Sequence, residues 1–239
     1  MQRYFDYNYD GAPFDVFGPG HLTALAIIAA IIVFIVWVRR YPGDAAKRRT
    51  RFVLAGIILV VESSWHVWNL AIDTWDVQRH LPLHTCSMGI WLSIVMLTTR
   101  NYRLYEILYF IGIAGATQAL LTPSVGAYGL PHFWPIQSLA SHGLLVIALV
   151  YMTAIEGLRP TWMSIWRTML VLNIYMLLIT GVNYLIGSNY MYTLRKPATA
   201  SLLDVLGPWP WYILACEFVA IFLFMILYSP FVALNKRAT

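Results

Sequence analysis

The chain has 239 residues, 59% of them hydrophobic and only 11% charged, with a mean hydropathy of +0.64. That much apolar surface does not fit inside a water-soluble core, so the composition is that of a polytopic membrane protein with an all-α fold. The formal charge of +5 would suit a nucleic acid, but the basic residues fall in short loops between apolar stretches, where they set orientation and meet anionic headgroups. The expected partner is therefore the lipid bilayer, with no nucleic acid.

Residues 1 to 20 form a polar and aromatic lead in which Asp6, Asp10 and Asp15 face a single Arg3, the wrong charge for the start of a secretory signal. The first apolar span, 21–38, is followed by Arg39-Arg40 rather than by a small-residue cleavage site, so it is expected to stay in the mature protein. Further spans of membrane-crossing length follow at 52–72, 82–99, 104–121, 135–155, 165–186 and 209–228. Together they predict a seven-helix bundle forming a single transmembrane domain over 1–239. Thr122 to Gly126 and Gly187-Ser188-Asn189 carry ordinary turn chemistry.

The loops alternate in charge. Arg39, Arg40, Lys47, Arg48, Arg49, Arg51, Arg100, Arg103, Arg159, Arg167, Lys236 and Arg237 fall on one side, against Arg3, Arg79, Arg195 and Lys196 on the other. By the positive-inside rule the N-terminus faces out and the C-terminus faces the cytoplasm.

In that topology the polar residues inside the spans gather toward the outer end. Span 2 carries Glu62, Trp65, His66 and Asn69 at i, i+3, i+4 and i+7, one helical face. Span 6 presents Asn173, Thr180, Asn183 and Tyr184, span 4 adds Gln118 and span 7 adds Glu217. Ionisable groups in hydrocarbon are costly and mark functional sites by default. No Lys or Arg lies well inside a span, which leaves Glu62 and Glu217 to be offset by histidine, by neutral donors or by taking up a proton. Taken singly, Asn173, Thr180 and Gln118 read as interhelical hydrogen-bond glue.

The stretch His80 to Trp91 brings a thiol and two imidazoles to the mouth of span 3. Pro82 suits the first position of a helix, which places Cys86 in its opening turns, where free backbone N–H groups can hold an oxyanion. A cysteine nucleophile needs a base and a group that orients the base. Cys86 is the nucleophile candidate and His142, at similar depth in span 5, the base, with Glu62, His66, Asn183 or Glu217 as orienters. His84 is two residues from Cys86, about 200° around a helix, and so faces elsewhere if both are helical. A zinc site built from His84, Cys86 and His142 has no regular ligand motif behind it, and neither a metal nor another cofactor is expected. Cys86 and Cys216 match no disulfide framework, although one bridge between them stays open.

Several segments together carry a resemblance. These are Leu81-Pro82-Leu83-His84-Thr85-Cys86-Ser87, Ser141-His142, Asn189-Tyr190-Met191-Tyr192 with Arg195-Lys196-Pro197, and Ser201 to Asp204 with Gly207-Pro208-Trp209-Pro210-Trp211-Tyr212. The chain resembles the YwaF-type bacterial integral membrane proteins, which are related to the eukaryotic transmembrane protein 164 family. The resemblance implies a bacterial cell-membrane protein and a phospholipid acyltransferase. Its eukaryotic relatives pass an acyl chain from a phospholipid to a lysophospholipid through a cysteine acyl-enzyme with a histidine partner, here Cys86 and His142. The chemistry also admits a lipid hydrolase, and the intramembrane acids admit a proton-coupled transporter. Arg195 and Lys196 are placed to meet a lipid phosphate, while Tyr190, Tyr192, Trp209 and Trp211 suit an interfacial aromatic belt equally well.

Overall fold

The structure, a computed structural model, describes residues 2–197 and 202–236. Ser201 and Arg237, used in the sequence reading, lie outside the described residues. A single turn, α1 (Gln2–Phe5), precedes α2 (Pro19–Val38), α3 (Asp44–Ala71), α4 (Thr85–Thr99), α5 (Tyr102–Leu121), α6 (Phe133–Ala154), α7 (Trp162–Ile186) and α8 (Trp211–Lys236). Short 3₁₀ turns at Tyr190–Tyr192 and Leu202–Asp204 punctuate the segment between α7 and α8. The described residues contain no strand.

Local chemistry sets several boundaries. Asn101 caps α5 by accepting from Arg103 N and Leu104 N, at 2.8 and 3.1 Å. Thr161 and Ser164 form a capping box at the start of α7, and Gly187, at φ +70°, ends that helix in the left-handed region. Six helices are long and apolar enough to cross a membrane, which makes this an integral membrane protein.

The exception is α4. At 15 residues it spans about 22 Å, short of the ~30 Å hydrocarbon core, and it begins at Thr85 rather than at Pro82. Leu81-Pro82-Leu83 belongs instead to an irregular segment whose backbone is bonded by side chains from far along the chain. Leu81 N donates to the Tyr190 hydroxyl, which donates in turn to Val77 O, and the Tyr175 hydroxyl donates to Leu83 O. Non-helical backbone is tolerated near membrane depth only when satisfied in this way.

Helix α5 is the centre of the bundle. It packs against α4, α6, α7 and α8, while α3 lies on α4 and α6 and α2 lies on α6. Its Tyr105, Leu108 and Phe110 are fully buried with Leu145 and Leu149 of α6. Gly112 makes the close α5–α6 approach feasible, since a Cβ there would stand 2.7 Å from Leu149 Cδ1.

The two ends of the bundle are built differently. At the end holding the N-termini of α3, α5 and α7, Glu156 is bracketed by Arg51 Nε at 3.1 Å and Arg100 Nε at 2.8 Å. Glu106 is bracketed there by Arg103 Nη1 at 2.8 Å and Arg167 Nη1 at 3.1 Å, and it also accepts from Ser164 Oγ at 2.6 Å. Arg51, one residue before the predicted start of span 2, is a buried residue of α3, with Nη1 on Leu97 O at 3.0 Å. The opposite end is covered by the lead. Trp68 Nε1 donates to Phe5 O, Tyr128 OH donates to Tyr7 O and His132 Nε2 donates to Asp6 O. Gly129 lies so close under the lead that a Cβ would meet Ala12 O at 2.1 Å.

Candidate functional site

Cys86 occupies the second residue of α4, at the covered end. No side chain caps this helix, so the N–H groups of its first turn are not spent on a cap. The thiol points at α5, where a Cβ on Gly115 would stand 3.1 Å from Sγ. Both cysteines are free.

One layer deeper, Leu145 of α6 fills the space that Gly89 of α4 and Gly112 of α5 leave open. A Cβ on either glycine would meet its methyls, at 3.7 and 3.6 Å. One helical turn back toward the covered end, the same faces of those helices present Cys86, Gly115 and His142. By that spacing thiol and imidazole stand at the same depth in the bundle. Among the described residues no hydrogen bond links Cys86 to His142.

The imidazoles at this end differ in which nitrogen is available. His142 Nδ1 lies 2.7 Å from Ser138 O, and a carbonyl only accepts, so Nδ1 carries the hydrogen and neutral His142 keeps its lone pair on Nε2. His66 Nδ1 instead accepts from Trp75 Nε1 at 3.3 Å, and His84 Nδ1 accepts from Met191 N at 3.3 Å. When neutral, those two hold their hydrogen on Nε2. They can donate there but cannot take a proton. His84 is also boxed between the rings of Tyr190 and Tyr192, both 5.3 Å away, and so is part of a loop contact.

Glu62 is 4% exposed on α3, beside Gln137 and within electrostatic reach of the Cys86 thiol. Four buried side-chain polar atoms among the described residues have no hydrogen-bond partner. Two of them, Arg51 Nε and Glu156 Oε1, face each other in an ion pair, which leaves Glu62 Oε2 and Trp91 Nε1. Trp91 sits on α4 with its ring 6.2 Å from that of His66, one turn along α3 from Glu62. A buried acceptor and a buried donor thus stand unspent on facing helices, the acceptor within electrostatic reach of Cys86.

The remaining sequence candidates are placed elsewhere. Asn69 closes the end of α3, donating to Trp65 O at 2.8 Å and accepting from Thr74 Oγ1 at 3.1 Å. Asn183 is fully buried and fully satisfied: it donates to Tyr190 O and Thr193 Oγ1 and accepts from Ser188 Oγ and Tyr190 N. It folds the 188–193 loop. Glu217 accepts from Asn173 Nδ2 at 2.9 Å, across the α7–α8 contact. Lys196 Nζ lies 3.9 Å from Asp204 and over the Tyr212 ring, whereas the Arg195 side chain is exposed. Tyr190, expected in an aromatic belt, is 1% exposed and serves as the clasp under Leu81, while Trp209 and Trp211 are exposed. Outside the spans, burial raises the Tyr190 and Tyr192 phenols and lowers the His80 imidazole, so all three are neutral near pH 7. Among the described residues no group of three or more His, Cys, Asp or Glu is arranged to hold a metal.

Two stretches far apart in sequence, Leu81 to Cys86 and Asn189 to Tyr192, are therefore one interlocked structure beside the thiol. The model of the TMEM164 family matches residues 16–228 and so takes in both, together with His142. The chain belongs to the TMEM164 family. No curated protein and no solved structure matches it. Trp91 and Gly115 were not among the sequence candidates. The signal for Gly115 was present, since Gly89, Gly112 and Gly115 are small residues at helical spacing in apolar helices, the pattern of close helix approach.

Proposed function

We propose that this family member is a membrane-embedded phospholipid acyltransferase, a transacylase that works through a Cys86 acyl-thioester with His142 as its base. What supports the reading is that Cys86 Sγ packs on Gly115, and that His142, one turn from Leu145 by helical spacing, has its Nδ1 fixed by Ser138 O and its Nε2 free. The family, and the activity that the resemblance implies, support it from a second direction.

The chemistry follows from those atoms. His142 Nε2 takes the thiol proton and the sulfur attacks an acyl-ester carbonyl of a phospholipid, with the first-turn N–H groups of α4 facing the developing oxyanion. The S–C bond forms, the ester C–O bond breaks, and the departing lysophospholipid oxygen receives the proton from His142. A second lysophospholipid then gives its hydroxyl proton to His142 and attacks the thioester, so that the C–S bond breaks and the sulfur regains a proton. Water in the acceptor's place gives hydrolysis. The orienter of the base is the Ser138 carbonyl, and Glu62 Oε2 and Trp91 Nε1 are offered to the polar part of the lipid.

In this reading the irregular residues 82–84 and α4 together make the third of seven crossings, and the N-terminus faces out. The site then opens to the outer leaflet of a bacterial cell membrane, with phospholipid and lysophospholipid as its partners. Protein in vesicles holding phospholipid labelled in its acyl chain, plus unlabelled lysophospholipid, is expected to move label into new diacyl lipid. Cys86→Ala is expected to reduce that transfer to the protein-free rate with its thermal midpoint unchanged. Unimpaired transfer by Cys86→Ala rejects the thiol as nucleophile.

A further inference from the structure

The helix that carries the thiol begins later than its own sequence favours. Pro82 is a good first helical residue, and a start there would let Cys86 N donate to Pro82 O and Ser87 N donate to Leu83 O, each one turn back. Neither bond is made among the described residues. The first helical bond of α4 runs instead from Met88 N to His84 O at 2.9 Å, and His84, at ψ 145°, turns the chain out of the helix. Cys86 and Ser87 are thereby the second and third helical residues, and their amides have no helix carbonyl behind them.

Two remote hydroxyls hold the start there. Leu83 O, which an earlier start would give to Ser87 N, accepts from Tyr175 OH at 3.0 Å. Tyr190 OH accepts from Leu81 N at 2.9 Å and donates to Val77 O at 2.7 Å, which fixes the segment from its other side. Both tyrosines are mounted on α7. Tyr175 belongs to it, and Tyr190 is held by Asn183, two turns further along, which accepts from Tyr190 N at 2.8 Å and donates to Tyr190 O at 2.9 Å. Without the Tyr175 hydroxyl, Leu83 O would be an unpaired carbonyl near membrane depth, and winding one more turn onto α4 is the nearest way to satisfy it. That turn would spend the Cys86 and Ser87 amides, which face the developing oxyanion in the reaction above.

Resting on the acyl-enzyme reading above, we propose that Tyr175 and Tyr190 are positioning residues for acylation: their hydroxyls hold residues 81–83 out of α4 and so keep the Cys86 and Ser87 amides free. Neither tyrosine touches the reacting atoms. They act by deciding where the helix that bears the nucleophile begins.

The test uses the full-length protein in detergent with dioleoyl phosphatidylcholine as donor. Thioester formation is followed by intact mass over a range of donor concentrations, and amide hydrogen exchange is followed on the peptide holding Cys86 and Ser87. Tyr175→Phe is expected to lower the maximal acylation rate at least about tenfold with the half-saturating donor concentration unchanged, while exchange at the two amides becomes slower. A contact that served stability alone would make that exchange faster. Thr85→Pro pins the later start, because proline suits the first helical position and keeps His84 before it extended. Added to Tyr175→Phe, it is expected to return the rate to within about threefold of wild type. Tyr190→Phe is expected to act in the same direction as Tyr175→Phe, and it decides if the latter fails to fold. An unchanged rate, faster exchange, or a folded double variant that stays slow overturns the positioning role and leaves the Cys86 chemistry standing. A wild-type protein that forms no thioester overturns the acyl-enzyme reading, and the positioning role with it.

Discussion

Three buried carboxylates separate the two ends of this bundle. Glu106 and Glu156 are each held by two arginines, and Glu106 by a serine hydroxyl as well, so both buried carboxylates there are answered within the protein. Glu62, at the Cys86 end, is reached by no ion pair among the described residues and keeps Oε2 unpaired. Burying an acid costs several kcal/mol unless partners offset it, and the two ends handle that cost in opposite ways. One end is a closed ion-pair plate that fixes the helices. The other combines an unpaired carboxyl, an uncapped helix start, a thiol and an imidazole with a free nitrogen, groups that a purely structural role would have satisfied.

Substitutions at the two ends should separate activity from stability. The largest effect is expected from His142→Gln, which removes the base: acyl transfer falls about 10²–10⁴-fold, with little change in the thermal midpoint, measured by the vesicle assay and by thermal unfolding in detergent. Comparable loss of stability and activity together would make His142 a structural residue. At the opposite end, Glu156→Gln strands the buried Arg51 and is expected to destabilise by about 3–5 kcal/mol, while transfer per folded molecule stays normal. A specific activity that fell with it would dissolve the division between plate and site. The smallest of the three is Gly115→Ala. Its Cβ would crowd Sγ at 3.1 Å and displace the sulfur by tenths of an ångström, lowering acylation about tenfold. Full activity in that variant would mean the thiol does not react from beside Gly115.

Much of this division was open to the sequence and some was closed to it. Long apolar runs such as 21–38 and 165–186 need only length and composition, and they recur as α2 and α7 with starts two and three residues earlier and the same ends. The start of α4 was misread because Pro82 is a good first helical residue locally. The bonds that keep Leu81-Pro82-Leu83 out of the helix come from Tyr175 and Tyr190, about a hundred residues onward, and no local pattern signals them. Glu106 and Glu156 passed unnoticed beside loop arginines, although Arg103 and Glu106 at i, i+3 on one helix were a readable pair. Asn183 shows the converse. Its depth and polarity suggested a site, yet four hydrogen bonds commit it to shaping a loop. Polarity within a span is legible in sequence; satisfaction of that polarity is a tertiary property.

The most direct measurement is intact-protein and peptide mass spectrometry of the wild-type chain after incubation with phospholipid. One added acyl chain is expected, located on the peptide containing Cys86, removed by neutral hydroxylamine and absent from Cys86→Ala. A protein that transfers acyl chains with no such adduct, or that carries the adduct on Cys216, would contradict that expectation.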